Sequence, residues 1–260
     1  QEVGIDGALA FEANDFAVDE AGAMWLAPRN HGLLRLSRAG TRFRKSAEFH
    51  PAPGVVVPID HVSARRGKVY FTSSRGVSSL MAGSPDAVLT RPFPEGASVG
   101  ERALAVTPSG RVFVATNTGV LTIADEVLTP VESRNDRARS GALCLLFDRE
   151  GQLWMGTIES GLNVLLTGRG VRFLRADKEG FRSIEIDRNG VHWVSSERRV
   201  RACRTDGGGA PGSVAEARFE GFDALMIYGI AEDPGGALLF AMNGGVGILS
   251  AEARASGDFV

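Results

Sequence analysis

The sequence predicts an all-β fold, a six-bladed β-propeller of four-stranded antiparallel blades, and three observations carry that prediction. First, an anchor glycine recurs at Gly22, Gly67, Gly110, Gly151, Gly190 and Gly236, at intervals of roughly 39 to 46 residues. Second, a large apolar residue follows three positions later each time: Trp25, Tyr70, Phe113, Trp154, Trp193 and Leu239. Third, the runs between turns are short, apolar and bounded by turn residues, the pattern of buried strands. A repeat of this length made only of short strands corresponds to one four-stranded sheet per repeat.

Each element has a local reason. In the fourth repeat, 142–147, 153–156, 162–166 and 171–174 read as strands a to d, separated by turns. Asp19, Asp148, Asp187 and Asp233 stand three residues before their glycine, where an Asp accepts backbone N–H bonds while the Gly supplies a positive φ. Repeats two and three carry Ala64 and Thr107 at that place, so their turns are expected to be less well specified. A second turn glycine follows at Gly32, Gly76, Gly119, Gly161 and Gly245, and only repeat five breaks it, with Arg198, Arg199 and Val200. The repeated aromatics read as wedge-filling core between sheets. Repeat six offers strands only around 227–232, 237–241 and 246–249, while residues 4–11 precede the first repeat with no blade of their own. The expectation is therefore a single domain over 1–260, closed by the N-terminal strand completing the last blade.

Composition narrows the function. The chain has 260 residues with 29 basic and 31 acidic side chains interspersed, so it lacks the clustered positive charge of a nucleic-acid binder. No apolar run approaches the roughly 18 residues of a membrane span, so no membrane insertion is expected. The opening Gln1-Glu2-Val3 fits a mature product after removal of an export signal, which leads to the expectation of a periplasmic or extracellular protein. Cys144 and Cys203 fall on strands at different radii and read as small buried apolar residues rather than a disulfide.

The run Asp148-Arg149-Glu150-Gly151-Gln152-Leu153-Trp154-Met155-Gly156-Thr157, followed by Ser160-Gly161-Leu162, resembles the two-component regulator propeller repeat. Asp19-Glu20-Ala21-Gly22-Ala23-Met24-Trp25 with Gly32-Leu33 is similar, as are Asp187 to Trp193 and the Asp233/Gly236 pair. The resemblance spans the chain and implies a ligand-sensing propeller of the kind found on the extracytoplasmic side of signalling receptors. Its matching residues are structural, so it carries no catalytic residue with it.

Candidate site residues come from the loops expected at one propeller face. They are Arg29, Asn30, His31, Asp60, His61, Arg75, Arg102, Arg139, Glu159, Arg182 and Tyr228, with Asn14 and Asp15 beside them. Asn117, Glu197, Arg198 and Asn243 occupy the corresponding turns. The arginines suit bidentate capture of carboxylate or phosphate. His31 and His61, on neighbouring repeats, form the best general-base or metal pair. The leading expectation is a non-catalytic module, more a binder than an enzyme, holding a small anionic ligand, a glycan or a protein partner at that face, without a cofactor. A six-bladed ring also resembles the gluconolactonase-type hydrolases, and that resemblance implies calcium in the channel, with Asn14, Asp15, Asp60 and Glu185 as donors. The alternative is thus a metal-dependent hydrolase or lyase of sugars or lactones with its site at the channel mouth. A pure assembly scaffold is the second alternative.

Overall fold

The first strand pairs away from where the sequence places it. In the computed structural model, β1 (Ile5–Asp6) lies parallel to β5 (Arg42–Phe49), with Ile5 opposite Phe43 and Asp6 opposite Arg44. The structure describes residues 5–6, 13–29, 31–39, 42–51, 56–131, 141–148, 151–159, 161–166, 170–175, 180–196, 200–205, 211–217, 227–242 and 245–256. The closing strand expected on the last blade is therefore corrected for its described part: Ile5–Asp6 completes the open outer edge of the first sheet. The last sheet keeps three described strands and is followed by a helix instead.

The chain divides into two compact units. The first comprises Gln1–Val99, Ala103–Val114 and Leu121–Val131, the second Gly100–Arg102, Ala115–Val120 and Glu132–Val260. Six successive groups of antiparallel strands make up a propeller-like all-β architecture. Blade one adds β2 (Ala13–Val18), β3 (Met24–Pro28) and β4 (Leu33–Ala39) to β5, in the order β1-β5-β4-β3-β2. Blade two is β6 (Ile59–Arg65), β7 (Lys68–Ser73), β8 (Gly76–Met81) and β9 (Ser84–Arg91), in sequence order. Blade three is β10 (Val99–Val106), β11 (Val112–Thr116), β12 (Gly119–Ala124) and β13 (Val127–Pro130).

Blade four is β14 (Ala142–Phe147), β15 (Leu153–Thr157), β16 (Leu162–Leu166) and β17 (Gly170–Arg175), within a residue or so of the predicted strands. β14 also meets β10 through one parallel bridge, Arg102 to Cys144. Blade five is β18 (Ser183–Ile186), β19 (His192–Ser195), β20 (Val200–Thr205) and β21 (Pro211–Ala217). Blade six is β22 (Ile227–Glu232), β23 (Leu238–Met242) and β24 (Gly245–Leu249), then α1 (Ala251–Ser256). Ser250 caps that helix, its Oγ accepting from the Ala253 N–H at 3.1 Å.

The a–b turns explain why the anchor residues recur. Asp19 Oδ1 accepts from the N–H groups of Ala21 and Ala23, and Gly22 holds φ at 79°. Asp187 does the same for Asn189 and Val191, and Asp233 for Ala237. The other carboxylate oxygen has a role that the sequence pattern did not suggest. Trp25, Trp154 and Trp193 each donate their indole N–H to Asp19, Asp148 and Asp187 at 2.8 to 2.9 Å. One side chain thus shapes the turn and orients the ring.

Those rings face forward along the chain. Trp25 packs in one cluster with Ile59, Val62, Val69 and Phe71 of blade two. Trp154 packs with Phe181, Ile184 and Val194 of blade five, and stacks on His192 with ring centroids 3.9 Å apart. Trp193 packs with Ile227, Ile230, Leu238 and Phe240 of blade six. Each such ring therefore buries itself in the leading face of the following blade, which is the packing that holds neighbouring repeats together. Cys144 is a buried thiol whose Sγ donates to the Phe181 carbonyl at 3.3 Å.

Candidate functional site

At one end of the first unit, two neighbouring blades bring together most of the side chains that could do chemistry. The register places the start of β2 beside the end of β3, and the start of β6 beside the end of β7 (Ala13 opposite Pro28, Ile59 opposite Ser73). The start of β4 lies beside the end of β5, through the Leu33–Phe49 pair. Asn14, Arg29, His31, Glu48, His50, Asp60, His61 and Arg75 consequently share this end.

A β-bulge shapes the start of the inner strands. The pairing shifts between Ala13 and Asp15 in β2, between Ile59 and His61 in β6, between Ala142 and Cys144 in β14 and between Ile227 and Gly229 in β22. In blade five Arg182 N–H and Ser183 both address Ser195, the same irregularity. A bulge breaks the in–out alternation of a strand and re-aims a side chain, and it is common beside active sites. Asn14, Asp60, Leu143, Arg182 and Tyr228 take this position. Asn14, Asp60, Arg182 and Tyr228 are among the residues that the sequence names as entering the first strands of their repeats; Arg139, named for blade four, lies outside the described residues.

Two clusters result in the first unit. In the inner one, Asn14 Nδ2 donates to the Ile59 carbonyl at 2.8 Å, and Arg29 Nε donates to Asn14 Oδ1 at 3.2 Å. Asp15 accepts from Phe16 N–H at 2.9 Å and from Val62 N–H at 3.0 Å, which fixes the carboxylate across the two blades. His61 Nδ1 stands 3.7 Å from Asp15 Oδ2, and the His61 backbone N–H donates to Thr72 Oγ1 at 3.2 Å. Burial pushes the neighbouring Asp60 carboxyl up from its ordinary range, a shift that the His61 charge partly offsets.

The outer cluster was not legible as a unit. Glu48 on β5 accepts from Lys45 Nζ at 2.6 Å and from Gly32 N–H at 3.1 Å. Its Oε1 also lies 3.7 Å from His31 Nδ1 and 3.6 Å from His50 Nε2. The Lys45 hydrogen bond, chiefly, holds the Glu48 carboxyl below its usual range. Glu48 and His50 carried no signal in the sequence because they end an outer strand, and only the β4–β5 register brings them to His31. The structure therefore does not make His31 and His61 partners of a common group: each stands beside a different carboxylate.

The remaining candidates are dispersed. Arg75 is exposed in the β7–β8 turn, its N–H donating to Ser73 Oγ at 3.2 Å. In the second unit Arg102 is on β10 at the bridge to Cys144, Glu159 is exposed after β15, and Tyr228 is exposed on β22. Glu185 is half-buried on β18 opposite Trp193. Asn30, Glu197, Arg198 and Asn243 lie outside the described residues, and Asn117 is an exposed turn residue.

The calcium donor set does not fit. Asn14 Oδ1 is occupied by a guanidinium, which repels a second cation, and both Asp15 oxygens accept backbone N–H bonds. Among the described residues no group of three or more His, Cys, Asp or Glu side chains is placed to hold a metal ion.

No protein-family model matches the chain, and neither does any curated protein. Solved structures do match. Virginiamycin B lyase from Staphylococcus aureus aligns with a TM-score of 0.73 at 12% identity, over 96% of this chain and 87% of the lyase. A catalytically inactive variant of that lyase, with quinupristin, aligns with a TM-score of 0.74 at 13% identity, over 98% and 89%. The extracellular domain of a hybrid two-component system from B. thetaiotaomicron aligns with a TM-score of 0.66 at 16% identity, over 92% of this chain and 34% of that one. At these identities the likeness is one of fold. It still corrects one expectation: an architecture that extends over nearly the whole of a lyase does not favour a chain that is more binder than enzyme. Among the described residues, no helix is long and apolar enough to cross a membrane.

Proposed function

We propose that the chain is a hydrolase or lyase of sugars or lactones, acting outside the cytoplasm, with its acid–base group at the inner cluster of the first unit. The observation that carries this reading is the His61–Asp15 pair, held at a bulged inner strand by two backbone N–H bonds to Asp15. The near-full-length likeness to virginiamycin B lyase supports the reaction class, and the likeness to extracellular domains supports the location.

Each residue has a role that its surroundings suit. Asp15 orients the imidazole, and His61 takes the proton, the division of labour expected of a carboxylate–imidazole pair. The 3.7 Å separation is longer than a hydrogen bond, and catalytic contacts of this kind tighten when substrate excludes water. Asp60, whose carboxyl is pushed up by burial, is the proton donor to the leaving oxygen. Arg29, exposed and steadied by Asn14, receives the carboxylate that ring opening releases. No step is routed through a metal.

The test is turnover of a lactone panel that includes quinupristin, followed by mass spectrometry. Hydrolysis adds the mass of one water. Elimination, in which a C–H proton goes to His61 as the ring C–O bond breaks and a C=C bond forms, opens the ring at unchanged mass. Conversion by the wild type that falls at least ~100-fold in His61→Asn supports the reading, on the usual scale of acid–base catalysis. Wild-type protein that converts none of the panel, or a His61→Asn variant with undiminished turnover, overturns it.

A further inference from the structure

The two blades that meet at the His61–Asp15 pair each carry an arginine on the turn beside it, and the proposed reaction uses only one of them. Asp15 joins the blades, its carboxylate accepting from Phe16 N–H on its own strand and from Val62 N–H on the next blade. Arg29 follows Pro28 at the end of β3 in blade one, and Arg75 stands in the turn after Ser73 at the end of β7 in blade two. Pro28 pairs with Ala13 and Ser73 with Ile59, so each turn lies next to the residue that enters the inner strand, Asn14 or Asp60. Both arginines are exposed.

Their surroundings differ. Arg29 Nε donates to the Asn14 amide oxygen at 3.2 Å. The turn that carries Arg75 is fixed through its backbone instead. The Arg75 N–H donates to Ser73 Oγ at 3.2 Å, and the following Gly76, at φ 135°, lies so close to the Arg91 carbonyl that a Cβ would run into it. The Arg75 guanidinium itself has no hydrogen-bond or ion-pair partner among the described residues. The carboxylates of this end are committed elsewhere. Asp15 accepts from backbone N–H groups, and Glu48 accepts from Lys45 and from Gly32 N–H. Asp60, whose charged form burial disfavours, feels the charge of His61 rather than that of an arginine.

A guanidinium with no carboxylate to hold, on a turn whose backbone is fixed, is preset for an anion. Opening a neutral lactone produces a single carboxylate, and Arg29 receives it in the proposed reaction. A second guanidinium at the same centre is matched by a second anionic group, present before the ring opens. We infer, on the reading of the inner cluster as the reaction centre, that the substrate is an acidic lactone, one bearing a carboxylate outside its ring ester, and that Arg75 binds that carboxylate. Because this group is charged in substrate and product alike, Arg75 sets specificity through binding rather than through the chemical step.

Glucarate and gluconate, the opened forms of an acidic and a neutral sugar lactone, differ by one carboxylate and serve as probes. Calorimetry compares them on wild type and on Arg75→Gln, a change at an exposed turn residue whose fold a thermal melt checks. Wild type should bind glucarate at least ~10-fold more tightly than gluconate, and Arg75→Gln should bring that ratio close to one. With glucarolactone and gluconolactone as substrates, the same preference should appear in kcat/KM, carried by KM. Equal affinities in the wild type, no binding of glucarate, or a preference that survives in folded Arg75→Gln overturns the inference. Wild type that opens neither lactone overturns the reaction instead, so the two failures are told apart.

Discussion

The a–b turns of blade five and blade two solve the same problem with different chemistry. In blade five a single carboxylate organises the turn: Asp187, 1% exposed, accepts from Asn189 N–H, Val191 N–H and the Trp193 indole. Arg254 of α1 lies 3.6 Å from the same carboxylate and 2.8 Å from Glu232, and Arg188 bonds Glu232 and the Asp233 carbonyl from the other side. Blade two has Ala64 where that Asp would be. Its chain turns more tightly, between Arg65 and Lys68, with both Arg66 (φ 54°) and Gly67 (φ 68°) in the left-handed region. The missing acceptor comes from the preceding blade: Glu20 takes the N–H groups of Arg66 and Gly67, and a bond from its own N–H, first, and then these two lower its carboxyl. One turn is specified from within and cemented by burial. The other is specified by a neighbour and remains in water.

That contrast sets an order of expected effects. Asp187→Ala should cost the most, about 3–5 kcal/mol by denaturant unfolding, because it takes the acceptor from the Asn189, Val191 and Trp193 N–H groups at a buried site and removes one of the two carboxylates that face Arg254. An effect below about 1 kcal/mol, the size of an ordinary net hydrogen bond, would erase the distinction between the turns. Thr107→Ala comes next, at about 1 kcal/mol, since the Thr107 hydroxyl accepts from Arg111 N–H at 2.9 Å and performs only the backbone half of the Asp role. Acid should act on the same network. Burial raises the Glu232 carboxyl, but the hydrogen bonds and charges of Arg254 and Arg188 outweigh it and leave the group lowered. A lowered carboxyl contributes stability above its unfolded value of about 4.3 and loses it as pH falls through the folded one. Glu232→Gln should therefore flatten the acid limb of a pH–melting curve, and an unchanged limb would show that α1 is held by its Ala253 packing alone. The smallest effect runs the other way. Arg66→Gly should leave stability unchanged or raise it by up to about 1 kcal/mol, because glycine takes a positive φ without penalty. Destabilisation on that substitution would mean that the Arg66 side chain, whose Nη1 donates to the Ser109 carbonyl at 3.3 Å, matters more than its backbone.

The sequence made the blades legible because their signal is local and repeated. Gly151, Trp154 and Asp148 lie within one turn of each other, so their shared role shows in a single repeat, and the strands of blade four follow directly. Two features of the scaffold have non-local causes. The turn of blade three keeps one side-chain acceptor, Thr107, and the turn of blade two borrows its acceptor from Glu20, 46 positions away, which a local motif cannot reveal. Strand β1 went to blade one because edge availability depends on which strands stop short, and spacing does not encode that. The candidate site was half legible. The sequence names Asn14, Asp60, His61, Arg182 and Tyr228 as residues entering the first strands, but the pairing shifts at which Asn14, Asp60 and Tyr228 stand do not show in it. Glu48 and His50 were invisible, since a β4–β5 register shift between Arg35 and Leu36 decides which side chains reach His31.

The most direct test of the functional account is ring opening of an intact lactone by wild type, His61→Asn and Glu48→Gln side by side. The two substitutions separate the inner cluster from the outer one at the same end of the first unit. Loss of at least ~100-fold in kcat/KM for His61→Asn, with Glu48→Gln retained within a few-fold, is the result expected of a base in the inner cluster. Full activity in His61→Asn with collapse in Glu48→Gln would contradict it, and would move the chemistry to His31, Glu48 and His50.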